Sequence, residues 1–158
     1  MQTEFFEDED FVEGEEIDVN AFLSQFKMAQ YPVEVEHVNS PCADGIINMA
    51  DYGYSSSGDT EFSPAFRLPD YDEFFIVVLC LAGVPQEEAA FSVFVMSKWG
   101  TVVSSMEIAS AKQNGDIIVI KSAVFDKEDQ FILSVQEGEK LVQTIYTFAS
   151  DGSIKEVK

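Results

Sequence analysis

Histidine, basic residues and the glycine signatures of cofactor sites are what this chain has least of. His37 is the only histidine in 158 residues. One histidine cannot build a multi-histidine metal site, and any Ser–His or Cys–His nucleophile would depend on that single residue. It sits between Glu36 and Val38 in an alternating run and reads as an ordinary strand histidine at a sheet surface. No phosphate loop and no dinucleotide fingerprint occurs. Gly53-Tyr-Ser-Ser-Ser-Gly58 has the composition of a nucleophile elbow, but its Gly–Ser–Gly spacing is one residue too long and no strand–turn–helix pattern surrounds it. The acid clusters Glu7–Asp10, Asp70–Glu73 and Asp126–Asp129 do not follow calcium-loop spacing. These absences lead to the expectation of a protein that is not an enzyme, with no cofactor and no dedicated metal site.

Cysteine is scarce too. Cys42 and Cys80 are not spaced as a metal or redox motif. Cys80 lies inside an apolar run and is expected as a buried free thiol. The alternative is one Cys42–Cys80 disulfide in an oxidising compartment. No apolar stretch reaches membrane-spanning length, and no basic-then-apolar leader opens the chain. The expected location is cytoplasmic if the chain is complete, and periplasmic or surface if a signal peptide has been removed.

Positive charge is the other shortage. Nine Lys and Arg stand against 29 Asp and Glu, for a formal net charge of −20. This balance disfavours nucleic acid, whose phosphates are neutralised by Lys and Arg, and it disfavours anionic membrane surfaces. It favours solubility and a basic protein partner.

What is present is a run of short strands. Glu73–Leu81 is continuously apolar after its first residue, as in a strand buried on both faces. Phe91–Ser97 and Thr101–Ile108 follow, joined by Lys98-Trp99-Gly100. Asn114-Gly115 is a strong turn signal before Asp116–Lys121. Gln130–Val135, Lys140–Phe148 and Ser153–Val157 complete the set, with Glu137-Gly138-Glu139 and Asp151-Gly152 as turns. In Lys140–Phe148, Val142, Tyr146 and Phe148 share one face, and Leu141 and Ile145 leave the other only partly polar. Connections this short favour antiparallel neighbours. The fold class is therefore mainly β: an antiparallel meander of six or seven strands, in a sandwich or partly open barrel.

The strands are preceded by a different kind of sequence. Residues 1–18 carry nine acids and no base, so they should form an acidic arm that is disordered alone. Residues 19–158 form a single β-rich domain. Within the arm, Phe5, Phe6, Glu7, Asp8, Glu9, Asp10 and Phe11 mix aromatic and acidic side chains and are the candidate contacts for the basic partner. One short helix follows, Ala21–Ala29, capped by Asp18 or Asn20 and ended by Pro32, with Phe22, Leu23 and Phe26 on one stripe. Val33–Val38 alternates as a strand with Val33 and Val35 inward. Asn39–Asp72 then reads as a long, irregular connection containing Pro64 and Pro69, and is the first place to look for a ligand site.

Ala21–Val33, Phe91–Val103, Met106–Ile108 and Tyr146–Ile154 together resemble uncharacterised β-rich proteins of gut Bacteroidetes, in which a Phe-Leu-x-x-Phe helix leads through Pro to a strand and the chain closes on a strand, Asp-Gly, strand unit. The resemblance implies a β-rich domain, often exported or lipid-anchored, and carries no catalytic residues. Two functional expectations result. The first is a non-enzymatic acidic interaction domain that binds a basic protein, as inhibitor or immunity proteins do. The second is an exported or surface-associated β-domain with a structural or ligand-binding role.

Overall fold

The computed structural model describes residues 19–37, 42, 45–54, 60–84, 88–127 and 129–157. The acidic arm and the Gly53–Gly58 serine run from Ser55 onward lie outside them.

A short helix α1 (Val19–Leu23) precedes nine strands: β1 (Val33–Glu36), β2 (Phe62–Tyr71), β3 (Phe74–Leu81), β4 (Phe91–Ser97), β5 (Val102–Asn114), β6 (Ile117–Lys127), β7 (Gln130–Glu137), β8 (Lys140–Phe148) and β9 (Ile154–Glu156). A 3-10 turn, Met49–Tyr52, lies between β1 and β2. Strands β2 to β9 pair in chain order, each antiparallel to the next, and the sheet stays open. The links are short, two residues each at β2–β3, β5–β6, β6–β7 and β7–β8, and leave no length for a parallel crossover.

Strand β5 is the corner of the sheet. Its residues 102–109 pair with β4, and 110–114 pair with β6. Where β5 has left β6, β1 takes its place: Val33 to Glu36 pair with Phe125 to Ser122. The sheet thus divides into a β2–β5 half and a β5–β9 half. One buried cluster draws on both, including Leu68, Ile76, Val78, Phe91, Val93 and Ile108 from the first, and Ala123, Phe125, Phe131, Leu133 and Phe148 from the second. Its aromatic centre is tight: Phe131 lies 5.1 Å from Phe125, 5.4 Å from Tyr146 and 5.6 Å from Phe148, centroid to centroid. Each such ring contributes on the order of 1.5–3 kcal/mol through the apolar area it removes from water.

The other face of β3 and β4 is buried as well. Val77, Leu79, Phe94 and Met96 point away from the first cluster and meet Phe22, Leu23 and Phe26, with Ile47, Met49 and Phe62. This explains the unbroken apolar run in β3: Ile76 and Val78 serve one layer, Val77 and Leu79 the other. The helix and the 3-10 turn therefore cap the β2–β5 half.

Several expectations need correction. The seven strands expected across residues 73–157 are present as β3–β9, and Val33–Val38 contains β1; the unexpected strand among the described residues is β2, while β5, β6 and β7 run beyond their expected ends. The helix is confined to Val19–Leu23, although Phe22, Leu23 and Phe26 are all buried as the stripe requires. Residues Lys27–Ala29 leave the helix because Arg67 offers a better partner: the Arg67 N–H donates to Lys27 O, and the Ala29 N–H donates to Arg67 O, both at 2.9 Å. The Asn39–Asp72 stretch is not wholly irregular, since it contains the 3-10 turn and the ten-residue strand β2. Pro64 and Pro69 are tolerated because β2 is the edge of the meander and both sit at register shifts, where no ladder donor is needed. Finally, Cys80 is not a free thiol. It is bonded to Cys42, with Cα atoms 6.2 Å apart, tying the segment before the 3-10 turn to the end of β3.

Candidate functional site

The three strands β6, β7 and β8 present one face to the core and the other to solvent. Their register fixes which residues share each face, because directly opposed residues point the same way. Val124 opposes Ile132, and Ile132 opposes Ile145. The Val157 N–H donates to Ile145 O at 2.8 Å, continuing that row past β8. Ile120 opposes Gln136, which opposes Leu141. Between the two rows runs a polar one, Ser122–Ser134–Gln143, in which Gln143 Nε2 donates to Ser134 Oγ at 3.1 Å.

None of the described elements covers this face. Leu141 is 56% exposed, Ile118 51% and Ile145 40%. Isolated exposed aliphatics are ordinary, but Ile118, Ile120, Leu141, Ile145 and Val157 gather on one face, with Val124 and Ile132 half-buried between them, and a patch of that extent is the usual mark of a surface that meets something. Polar side chains frame it with mainly one sign of charge. Glu34 and Glu36 on β1 stand beside Val124 and Ser122, and Asp126 lies at the end of β6, bonded to Gln130 Nε2 at 3.2 Å. Lys155, opposite Thr147, is the base on this face.

A second feature lies at the corner strand. A groove of about 540 Å³ opens beside β4 and β5, with Tyr54, Phe62, Ser92, Ser105, Glu107 and Lys112 in its wall. Glu107 is its electrostatic centre. Lys112 Nζ donates to Oε2 at 2.7 Å, Ser110 Oγ donates to Oε1 at 2.9 Å, and Lys121 Nζ stands 3.6 Å from Oε1. Burial alone would raise the Glu107 pKa, but these hydrogen bonds and the two ammonium charges outweigh it and hold the carboxyl below its ordinary value. The arrangement is a satisfied ion-pair cluster. Among the described residues, no group of three or more His, Cys, Asp or Glu gathers as a metal site.

The candidate contacts Phe5, Phe6, Glu7, Asp8, Glu9, Asp10 and Phe11 lie outside the described residues. The described chain begins at Val19, on the layer that caps β3 and β4, whereas the aliphatic rows lie on the outer side of β6–β8. His37 follows directly after β1, partly exposed, as an ordinary surface residue. The Asp70 and Glu73 carboxylates pair with Arg67 and Lys98, at 2.7 and 3.1 Å. The central stretch does reach the groove, through Tyr54, Thr60 and Phe62. The aliphatic face escaped the sequence reading as a site. Its signal was there in Leu141 and Ile145, on the side of β8 opposite Tyr146 and Phe148.

Compared with protein-family models, with curated proteins and with solved structures, the chain shows no match in any of the three. No helix among the described residues is long and apolar enough to cross a membrane.

Proposed function

We propose that this chain is an acidic protein-interaction domain without catalytic activity, and that it docks a basic protein on the outer face of β6–β8. The observation that carries the reading is the set of exposed aliphatics on this face, Ile118, Ile120, Leu141, Ile145 and Val157, framed by Glu34, Glu36 and Asp126. Aliphatic side chains on either side of the Ser122–Ser134–Gln143 row, with charge at the border, match the mixed apolar and polar make-up of a non-obligate protein interface. The border and the net charge of −20 both select a partner of opposite sign. Charge of this kind acts mainly on encounter rate and is weakened by salt, whereas the aliphatic contacts govern how long the complex lasts.

The test is capture of a partner from the native host lysate by the intact chain, by an Ile145→Glu variant and by a chain starting at Val19. Retention that is lost with salt and with Ile145→Glu supports face docking. Retention lost only on removing residues 1–18 transfers the role to the arm.

The Cys42–Cys80 bond favours a second statement about the same domain. Persistent disulfides belong to oxidising compartments. We infer that the domain works outside the reducing cytosol, in line with an exported or surface-associated role. Alkylation of free thiols in protein taken from its native source tests this, and modification of both cysteines without prior reduction would refute it.

A further inference from the structure

The Cys42–Cys80 bond joins two sulfurs in unlike surroundings. Cys80, on β3, is fully buried and belongs to the core cluster that includes Val78, Phe91 and Val93. Cys42 is exposed. Exchange at a disulfide depends on which sulfur an incoming thiolate can reach, and displacement proceeds in line, from the side away from the leaving sulfur. At Cys80 the core leaves a solute no such approach. At Cys42 the approach comes from solvent. The segment that carries Cys42 is also held unevenly. From Ile47 onward it has its own anchors: Ile47 and Met49 are buried, and the Ile47 N–H donates to Phe62 O at 2.8 Å. Between the end of β1 and Ile47, the ties to the sheet among the described residues are the disulfide and the hydrogen bond from Ser63 Oγ to Gly45 O, at 2.6 Å. Ile46 is 63% exposed.

We propose that this bond is a redox-sensitive strap of fixed polarity: a small thiol of the glutathione class exchanges at Cys42, and Cys80 is the leaving sulfur, retained in the core. The incoming thiolate forms a new S–S bond with Cys42 Sγ as the Cys42–Cys80 bond breaks. The electron pair stays on Cys80 Sγ, which takes up a proton and becomes a thiol. Ser63 O, 3.6 Å from Cys80 Sγ, accepts from that S–H, so the thiol is satisfied where it stands. A second thiol then displaces Cys42 from the mixed disulfide. In sum, two external thiols are oxidised to their disulfide and the protein bond is reduced. A thiolate forming in an apolar core lacks solvation, so Cys80 leaves slowly and the strap withstands brief exposure to thiol. Opening frees the chain up to Ile46 and leaves the layer built on Ile47 and Met49 in place. The thiol level of the surroundings thus sets the state of the β1–β2 connection without unfolding the domain. The proposal is independent of the face-docking reading and is tested on the purified chain.

The test uses the whole chain with the bond formed, held without denaturant in excess reduced glutathione. Samples are quenched in acid at successive times, unfolded in N-ethylmaleimide and mapped by peptide mass spectrometry. The expected intermediate carries glutathione on Cys42 and maleimide on Cys80. Glutathione on Cys80, equal adducts on both, or a bond that opens only in denaturant would each overturn the proposal. A second arm compares Cys80→Ala with Cys42→Ser, each treated with glutathione disulfide. Cys42 should be modified at least about tenfold faster than Cys80, and equal rates would overturn the polarity. Cys42→Ser, an exposed change that spares the core, also reads the release by NMR relaxation. Order parameters of the Gly45 and Ile46 amides should fall from about 0.85 to below about 0.6, while those of Ile76–Leu79 hold. Unchanged order at Gly45 and Ile46, or loss of order through β3, would overturn the local strap.

Discussion

Replacing Gly152 by alanine should destabilise the fold far more than the same change at Gly138, and the difference measures how firmly the last hairpin is packed. Both glycines hold left-handed backbone, with φ of +87° and +62°. A side chain in that region costs about 1–2 kcal/mol, partly offset by about 0.4–1 kcal/mol from the stiffer unfolded chain. At Gly138, in the β7–β8 turn, an added Cβ meets nothing within 4 Å, so the net cost should be about 0.5–1 kcal/mol. At Gly152, the Cβ would come within 2.8 Å of Phe74 Cε1 and of Val103 Cγ1. The Phe74 ring is the harder of the two to displace, since Val103 is 44% exposed and can turn toward solvent. Phe74 packs against the main core, and Ser104, next to Val103, donates its hydroxyl to Gly152 O at 2.5 Å. Overpacking of this kind adds about 1–3 kcal/mol, for a total of about 2–4 kcal/mol. Urea unfolding followed by far-UV circular dichroism measures it. Trp99 fluorescence would not serve, because that side chain is 75% exposed in the β4–β5 turn. Equal losses at the two glycines would refute the claim that the β8–β9 turn is wedged against β3 and β5.

Three further outcomes follow from the same structure. Phe94→Ala opens the layer between β4 and the helix and should cost about 3–5 kcal/mol in urea unfolding, with Tyr54 and Phe62 losing their edge contacts to the ring. Reducing the Cys42–Cys80 bond frees a link spanning 38 positions and should lower unfolding stability by about 2–4 kcal/mol, read as a shift of the urea midpoint with and without reductant. Glu107 has a folded pKa below its ordinary 4.5, so it contributes stability at pH values above 4.5 that is lost as pH falls through the lower folded value. Glu107→Gln should therefore lower stability at neutral pH and flatten the acid limb of the stability–pH curve, and an unchanged limb would contradict the ion-pair cluster.

The strands were legible because their side chains alternate or run apolar over lengths that fit nothing else, and because Asn114-Gly115, Glu137-Gly138 and Asp151-Gly152 mark turns. Phe91–Ser97 and Lys140–Phe148 were bounded correctly. What sequence could not give was pairing. The stripe Phe22–Phe26 suggested a longer helix, and only the bridge between Met28 and Arg67 shows why the chain straightens instead. Strand β2 hid behind two prolines whose edge position was invisible in one dimension. Cys80 looked like a core thiol because its neighbours are core residues, and nothing local announces Cys42 beside it. The aliphatic face follows the same rule: Ile120, Leu141 and Ile145 are unremarkable singly, and become a surface once the register sets them side by side.

The central claim is that this surface docks a basic protein. The most direct measurement compares lysate capture by the intact chain with capture by Ile145→Glu, at low and moderate salt, after circular dichroism has shown both to fold alike. The account predicts that the intact chain retains a basic protein, that salt weakens the retention, and that the variant loses it. Equal retention by the two proteins, or retention of nothing basic by either, would contradict it.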